Sequence, residues 1–151
     1  MNEIRAEIEI DASADRVWRV LTDFVAYSEW NSVIPQISGK AEAGARLMVH
    51  VQPRGGLGVT FRPTVLRSEL GRELRWQAKL LLSGLFSGQH SFIIEPFGRN
   101  QVRFVQREVF SGLLVLPFMF LMKSSVRQVF EDMNKALKAR AEKAVAAVRE
   151  V

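Results

Sequence analysis

Apolar and polar residues alternate along seven segments of this chain, the pattern of β-strands with one buried face. The clearest is residues 4–10, where isoleucine or alanine at every second position alternates with a charged residue. Turn residues separate the other six, which span residues 34–40, 46–51, 59–66, 73–81, 86–95 and 101–110. We therefore predict an antiparallel sheet of about seven strands.

Helical periodicity appears after the first strand and at the end of the chain. Ser13 is a suitable N-cap for a first short helix, and a second one over about residues 25–30 should follow a bend near Asp23. Beyond Pro117, apolar residues recur at spacings of four and three, which predicts one long helix. They are Val126, Phe130, Met133, Leu137 and Ala141. The order of elements predicts a single α+β domain over residues 1–151.

Composition excludes several kinds of chemistry. The chain has no cysteine, and its two histidines, His50 and His90, lack the spacing of metal ligands. We therefore expect neither a metal nor a cofactor. The N-terminus has no signal-peptide pattern, and the long uncharged apolar run of residues 109–122 is shorter than the roughly 20 residues of a membrane span. We expect a cytoplasmic protein without a transmembrane segment.

The net charge of +5 comes from 21 Lys and Arg against 16 Asp and Glu. By strand parity, several basic residues lie on the outer side of the sheet, namely Arg62, Arg75, Lys79, Arg103 and Arg107. A solubilising surface is the simpler interpretation, and contact with an anionic partner or membrane surface is the alternative. Aromatic residues do not alternate with these cations, so we expect no nucleic-acid binding.

Polar residues lie on strand faces that are otherwise apolar. A period of two places His90 with Phe92 and Ile94, and it places Gln106 and Glu108 with Phe104 and Phe110 on the next strand. Burying such groups without partners costs on the order of several kcal/mol each. These polar groups must therefore form hydrogen bonds with each other, with water or with a ligand, and we predict a cavity here. His90 beside Glu108 fits an acid/base pair, but it fits a structural network equally well.

Large apolar side chains supply the expected wall of this cavity. Each of them fits an ordinary core position, but as a group they are rich in aromatic rings and methionine, which suits an adaptable ligand surface. The candidates are Trp30, Phe61, Trp76, Phe86, Phe92, Phe104, Phe120, Met122, Phe130 and Met133. We expect residues 112–123 to close the core, whereas a membrane-contacting or dimerising patch is the alternative.

Five stretches carry a family resemblance. They are IEIDASADRVW (8–18), YSEWN (27–31), GLFSGQHSF (84–92), EVFSGLL (108–114) and FEDMNKALK (130–138). In this order the chain resembles the START-like (SRPBCC) helix-grip superfamily, in particular its polyketide cyclase/dehydrase and lipid-transport branch. The resemblance implies a curved sheet wrapped around the C-terminal helix, with a tunnel or cavity for an apolar ligand between them. Fold alone does not decide function.

Three hypotheses follow. The first is a non-catalytic binding or carrier protein for a lipid, quinone or polyketide-like ligand, whose polar end meets His90, Gln106 or Glu108. The alternative is a cyclase, aromatase or dehydratase that uses His90 and Glu108 as acid and base. The third is an interaction module with a filled core, which binds another protein. A homodimer and peripheral membrane contact are compatible with the first.

Overall fold

The computed structural model describes residues 2–80 and 84–149, with side chains for residues 2–79 and 84–143. These residues form eight strands, three α-helices and one 3₁₀ turn (Phe24–Ala26). The strands are β1 (Glu3–Ile10), β2 (Gln36–Ser38), β3 (Met48–Val51), β4 (Val59–Phe61), β5 (Thr64–Glu69), β6 (Glu73–Leu80), β7 (Phe86–Gly98) and β8 (Gln101–Ser111). The helices are α1 (Ala14–Thr22), α2 (Tyr27–Trp30) and α3 (Val115–Arg149).

The strands form two antiparallel sheets. One has the order β1-β8-β7-β6-β5, and the other has the order β2-β3-β4. An isolated bridge between Arg46 and Thr64 connects them. The α+β architecture with a long C-terminal helix is confirmed, but the prediction of about seven strands is wrong. The predicted strand over residues 59–66 is split at Arg62 and Pro63 into β4 and β5. Proline has no N–H to donate to a ladder, which explains the interruption.

The predicted bend after the first helix is confirmed. Ser13 Oγ accepts the backbone N–H of Arg16 at 3.1 Å and caps α1, which ends at Asp23. The Tyr27 hydroxyl then donates to the backbone carbonyl of Leu21. Burial, with a smaller contribution from Asp23, raises the pKa of the Tyr27 hydroxyl well above its ordinary value. The bend is therefore fixed by a buried hydrogen bond.

The core consists of two groups of buried side chains, both of which α3 covers. The main cluster includes Met133, Leu137 and Ala141 of α3 together with α1 and both sheets. A smaller second cluster lies under the first half of α3. It contains Ile4, Ala6, Phe86, Phe110, Val115 and Phe130. The two clusters divide α3 at about Phe130, so its first half rests on much less buried surface than the part that follows.

The outer face of the large sheet carries ion pairs. Arg75 lies 2.6 Å from Glu73, and Arg107 lies 2.9 Å from Glu3. Arg103 lies at the longer distance of 3.9 Å from Glu95. These pairs are partly exposed and stabilise the fold little. They nevertheless neutralise much of the predicted basic face, which favours the solubilising interpretation.

The prediction that residues 112–123 close the core is wrong for one side of the helix. Val115 is buried, and Phe118 and Met119 pack against the second cluster. Leu116, Phe120 and Leu121 are instead 74%, 89% and 73% exposed. Within the described residues, no helix has the length and apolarity to span a membrane.

Candidate ligand-binding site

The inner face of the large sheet brings the predicted polar residues together. In the β6-β7-β8 register, His90 lies between Trp76 and Glu108 on the neighbouring strands. The next row on the same face places Phe92 between Leu74 and Gln106. The prediction that Gln106 and Glu108 come from the antiparallel neighbour of the histidine strand is confirmed. The period of two therefore assigned this face correctly.

A hydrogen-bonded network crosses from the sheet to α3. His90 Nδ1 lies 3.3 Å from Glu108 Oε2, and His90 Nε2 lies 3.0 Å from Gln106 Oε1. Gln106 Nε2 donates to the backbone carbonyl of Phe130 at 3.2 Å and to Asn134 Oδ1 at 2.7 Å. His90, Gln106 and Asn134 are 8%, 1% and 1% exposed. Gln106 is the residue through which the histidine is joined to the helix.

The Phe130 carbonyl sets the direction of this network. A carbonyl can only accept, so the amide nitrogen of Gln106 faces α3 and its oxygen faces His90. His90 Nε2 must therefore carry a hydrogen. His90 Nδ1 faces Glu108 Oε2 at 3.3 Å, so the imidazole and the carboxyl lie side by side on the inner face.

Aromatic rings surround the histidine. Its ring stacks on Phe92 at a centroid distance of 4.3 Å and meets the edge of Phe130 at 4.8 Å. Trp76 lies 5.7 Å from His90 and 4.9 Å from Phe92. The polar network is thus enclosed by apolar surface, where unpaired polar groups are most costly.

The predicted wall residues do not all meet. Trp76, Phe92, Phe104 and Met133 are buried in the main cluster, whereas Phe130 is buried in the second cluster with its ring against His90. Phe86 is also buried, in the second cluster, where it contacts Phe110 and Phe118.

Four other candidates lie apart from His90. Trp30 is half-buried beside Tyr27 and lines a cleft with residues of α1. Phe61 is half-buried in β4. Phe120 and Met122 are exposed on α3, at 89% and 43%. Apolar character alone did not distinguish these four from the buried group.

The side chains of the inner face are buried against one another in this structure, where a cavity was predicted. Two clefts on the described surface lie elsewhere. One is lined by Arg67, Arg72, Glu73 and the end of β7, and the other by α1, Trp30 and Arg140. Neither reaches His90, Gln106 or Glu108. A ligand at the network therefore has to displace side chains that now pack there.

Two residues of the site were not predicted from the sequence. Gly88 lies on the same strand face as His90, and a Cβ there would be 2.6 Å from Glu108 Oε1. The glycine therefore leaves room for the carboxylate, and a glycine inside a strand is a signal of such close approach. Asn134 follows Phe130 by four residues and so belongs to the buried stripe of α3. Its Nδ2 is buried and has no partner among the described residues.

Metal-ligating side chains do not gather in the part of the chain that the structure describes. No group of three or more His, Asp or Glu side chains there is arranged to hold an ion. The chemistry available at the network is therefore that of an imidazole, a carboxyl and two amides. These can bind a polar group or transfer a proton.

Comparisons with known proteins agree with this architecture. The family model described as "Polyketide cyclase / dehydrase and lipid transport" matches residues 1–142. A START superfamily protein from Mycobacterium smegmatis is 20% identical, with a TM-score of 0.75 over 94% of this chain and 98% of that chain. The Zhui aromatase/cyclase from Streptomyces sp. R1128 is 16% identical, with a TM-score of 0.72 over 95% and 94%.

A di-domain protein also shares the fold. The ARO/CYC protein StfQ of the steffimycin biosynthetic pathway is 11% identical, with a TM-score of 0.76 over 95% of this chain and 51% of that chain. Among curated protein sequences, none matches the chain. At these identities the structural likenesses establish the fold, and the site must be interpreted from its own residues.

Proposed function

The chain belongs to the polyketide cyclase/dehydrase and lipid transport family, and on that premise we propose that it binds a hydrophobic small molecule between the large sheet and α3. A lipid, a quinone or a polyketide-like ring system fits this description. The polar end of the ligand meets His90, Gln106 and Glu108, and its apolar body replaces contacts among the aromatic side chains. The chain acts as a binding or carrier protein.

The buried amide of Asn134 is the observation that carries this proposal. A buried donor without a partner costs about 1–3 kcal/mol, so a ligand that accepts a hydrogen bond there gains stability. The contact between His90 and Glu108 lies on the same inner face of the sheet and supplies further polar atoms. We therefore expect the polar end of the ligand to be an acceptor, such as a carbonyl oxygen.

The size of the ligand follows from the filled inner face. Removing about 300 Å² of apolar ligand surface from water yields about 7 kcal/mol, and association costs consume much of it. Because a ligand must also displace packed side chains, it has to be large and apolar. Phe130 is the expected point of entry, because its ring contacts His90 and it lies where the two clusters meet.

The experiment measures ligand-dependent stability. Native mass spectrometry of the purified protein should show co-purifying apolar mass, and a panel of lipids and quinones should raise the melting temperature. Phe130→Ala should lower stability by about 3–5 kcal/mol, and an apolar ligand should recover part of this loss by filling the space. Leu137→Ala, equally buried on α3, is the matched control and should not be recovered. A ligand-free protein that no compound stabilises contradicts the proposal.

The chain offers a matched pair of histidines for testing the polar end. His90→Phe removes the donor and keeps an aromatic ring, so binding of a ligand with a carbonyl end should weaken about tenfold or more. Binding of a plain hydrocarbon probe should hardly change. His50 is hydrogen-bonded to Thr60 on the other sheet, and His50→Phe should leave both affinities unchanged. Equal effects of the two substitutions would place the ligand elsewhere.

The contact between His90 and Glu108 favours one second function, an enzyme of cyclase, aromatase or dehydratase type. Such an enzyme could use His90 and Glu108 as acid and base toward a carbonyl or hydroxyl oxygen. His90→Ala should then abolish turnover and leave the apolar ligand bound. If His90→Ala instead unfolds the protein, the histidine is structural. If turnover persists, the acid role is wrong.

A further inference from the structure

The first two turns of α3 are apolar on both sides. Their inner side contributes Val115, Phe118 and Met119 to the second cluster. Their outer side carries Leu116, Phe120 and Leu121, and Leu113 lies just before the helix. These four residues, named the apolar tip, are 81% (Leu113), 74% (Leu116), 89% (Phe120) and 73% (Leu121) exposed. A helix that is apolar all round is typical of burial or of contact with a membrane, not of a surface in water.

The charged residues that follow the apolar tip in the sequence are all of one sign. Residues 109–130 contain no Asp or Glu, and Lys123 and Arg127 are their only charged residues. These two follow Phe120 by three and seven residues, so they lie on the same side of α3. Both are exposed. The apolar tip therefore continues directly into a cationic surface.

The turn before β7, which contacts the start of α3, also lies in a sequence segment without acidic residues. The backbone N–H groups of Leu113 and Leu114 donate to the carbonyls of Gly84 and Leu85, at 3.2 Å and 3.0 Å. The sequence around that turn, residues 74–94, also contains no Asp or Glu. Exposed Lys79 lies close to the turn, whereas Arg75 lies at the far end of β6 and is paired with Glu73. One end of the molecule thus combines exposed apolar side chains with basic residues and lacks acidic ones in both segments.

We propose that the apolar tip docks onto the surface of a lipid bilayer that contains anionic lipids. The leucine and phenylalanine side chains enter the boundary between headgroups and acyl chains, and Lys123 and Arg127 contact the anionic headgroups. A second copy of the chain fits this surface poorly. A symmetric dimer would bring the two Lys123–Arg127 surfaces together, and these segments supply no carboxylate to pair them.

Vesicle co-sedimentation of the whole chain tests this docking. We expect binding to vesicles of phosphatidylcholine with about a quarter phosphatidylglycerol and much weaker binding to phosphatidylcholine alone. Raising the salt from about 0.1 M to about 0.5 M should weaken it, because exposed charges are screened. The double variant Leu116→Ser, Phe120→Ser should bind about tenfold more weakly or worse. Lys123→Gln, Arg127→Gln should lose roughly tenfold on anionic vesicles only.

A matched control removes the same residue types elsewhere. Leu70, in the turn after β5, is 77% exposed, and Phe97, near the end of β7, is 51% exposed, so Leu70→Ser, Phe97→Ser should leave vesicle binding unchanged. Equal loss in this variant overturns the proposal, because binding would then follow general hydrophobicity. Absence of binding by the unaltered protein also overturns it. Sedimentation velocity adds a third outcome. A dimer that Leu116→Ser, Phe120→Ser disrupts, without vesicle binding, would assign the apolar tip to a second copy.

Discussion

Replacement of Gln106 by leucine tests whether the polar network is a fully paired part of the core. Gln106 is 1% exposed and connects His90 to the Phe130 carbonyl and to Asn134 Oδ1. Leucine has a similar volume and no polar atom. The substitution therefore removes the connection between β8 and α3 and leaves no large cavity behind.

The expected cost follows from the groups that lose a partner. His90 Nε2–H and Asn134 Oδ1 are both stranded, and each costs about 1–3 kcal/mol when buried. The Phe130 carbonyl retains its place in the helical hydrogen-bond ladder and adds little. Greater apolar burial of the leucine offsets about 1–2 kcal/mol. We expect a net loss of about 2–3 kcal/mol in the free energy of unfolding.

Urea unfolding followed by tryptophan fluorescence measures this loss, because Trp76 lies 5.7 Å from the His90 ring. A double-mutant cycle with Asn134→Leu should give a coupling energy of about 1–2 kcal/mol, because removal of either amide leaves the other without its hydrogen-bond partner. Gln89→Leu is the matched control. Gln89 is exposed on β7, one residue from His90, and its replacement should change stability by less than about 0.5 kcal/mol.

A stable Gln106→Leu protein would refute this reasoning. Stability within about 0.5 kcal/mol of the unaltered protein would mean that the network is hydrated and that its groups find water when the amide is removed. Strictly additive effects of Gln106→Leu and Asn134→Leu would lead to the same conclusion. In either case the buried groups would not require an acceptor at the polar end of the ligand.

Three further substitutions test single features. Gly88→Ala should push the Glu108 carboxylate away from His90, which should shift the imidazole NMR signals and lower the free energy of unfolding by about 1–2 kcal/mol. A Cβ at Gly98 would meet nothing closer than 3.5 Å, so Gly98→Ala should change neither the NMR signals nor the stability. Gly112→Ala should lower the free energy of unfolding by more than about 2 kcal/mol, because φ is 118° and an added Cβ would collide with the Leu85 carbonyl. Gly71 also has a positive φ but faces open space, so Gly71→Ala should cost about 1 kcal/mol. Equal losses in the two variants would contradict a role for packing at Gly112. Tyr27 is the single tyrosine, and its pKa is raised by burial and by Asp23. Above about pH 10 the unfolded chain therefore releases a proton that the folded chain keeps, and stability should fall by up to about 1.4 kcal/mol per pH unit. Tyr27→Phe should remove this slope, and tyrosinate absorbance that appears before unfolding would contradict it.

Strand parity predicted the inner face of the sheet because that information is local. The alternation through His90, Phe92 and Ile94 and through Phe104 and Gln106 determines which side chains share a face, and pairing of β7 with β8 only had to bring the two faces together. The strand count was wrong for an equally local reason. The alternation continues through Pro63, and only the missing N–H of that residue indicates the break.

Burial of apolar residues could not be predicted in the same way. Phe120 and Phe130 are ten residues apart on one helix, and the residues that flank Phe120 are the more apolar of the two sets. Phe130 is 4% exposed because the sheet lies beneath it, whereas Phe120 is 89% exposed because no described residue covers it. That difference is tertiary. Asn134 was detectable in principle, since the period of α3 places it on the buried stripe.

The two proposals meet in the first half of α3. Phe130 belongs to the second cluster, its ring contacts His90, and its carbonyl accepts the Gln106 amide. A ligand that reaches His90 must move this residue and loosen the helix from Val115 to Phe130. The same half carries the apolar tip. Loosening this half in water would expose both sides of an apolar helix. At a bilayer, lipid would instead cover the apolar side chains that no longer contact the sheet. Membrane contact should therefore lower the cost of ligand exchange, and a carrier built in this way would release its ligand where an apolar acceptor phase is present.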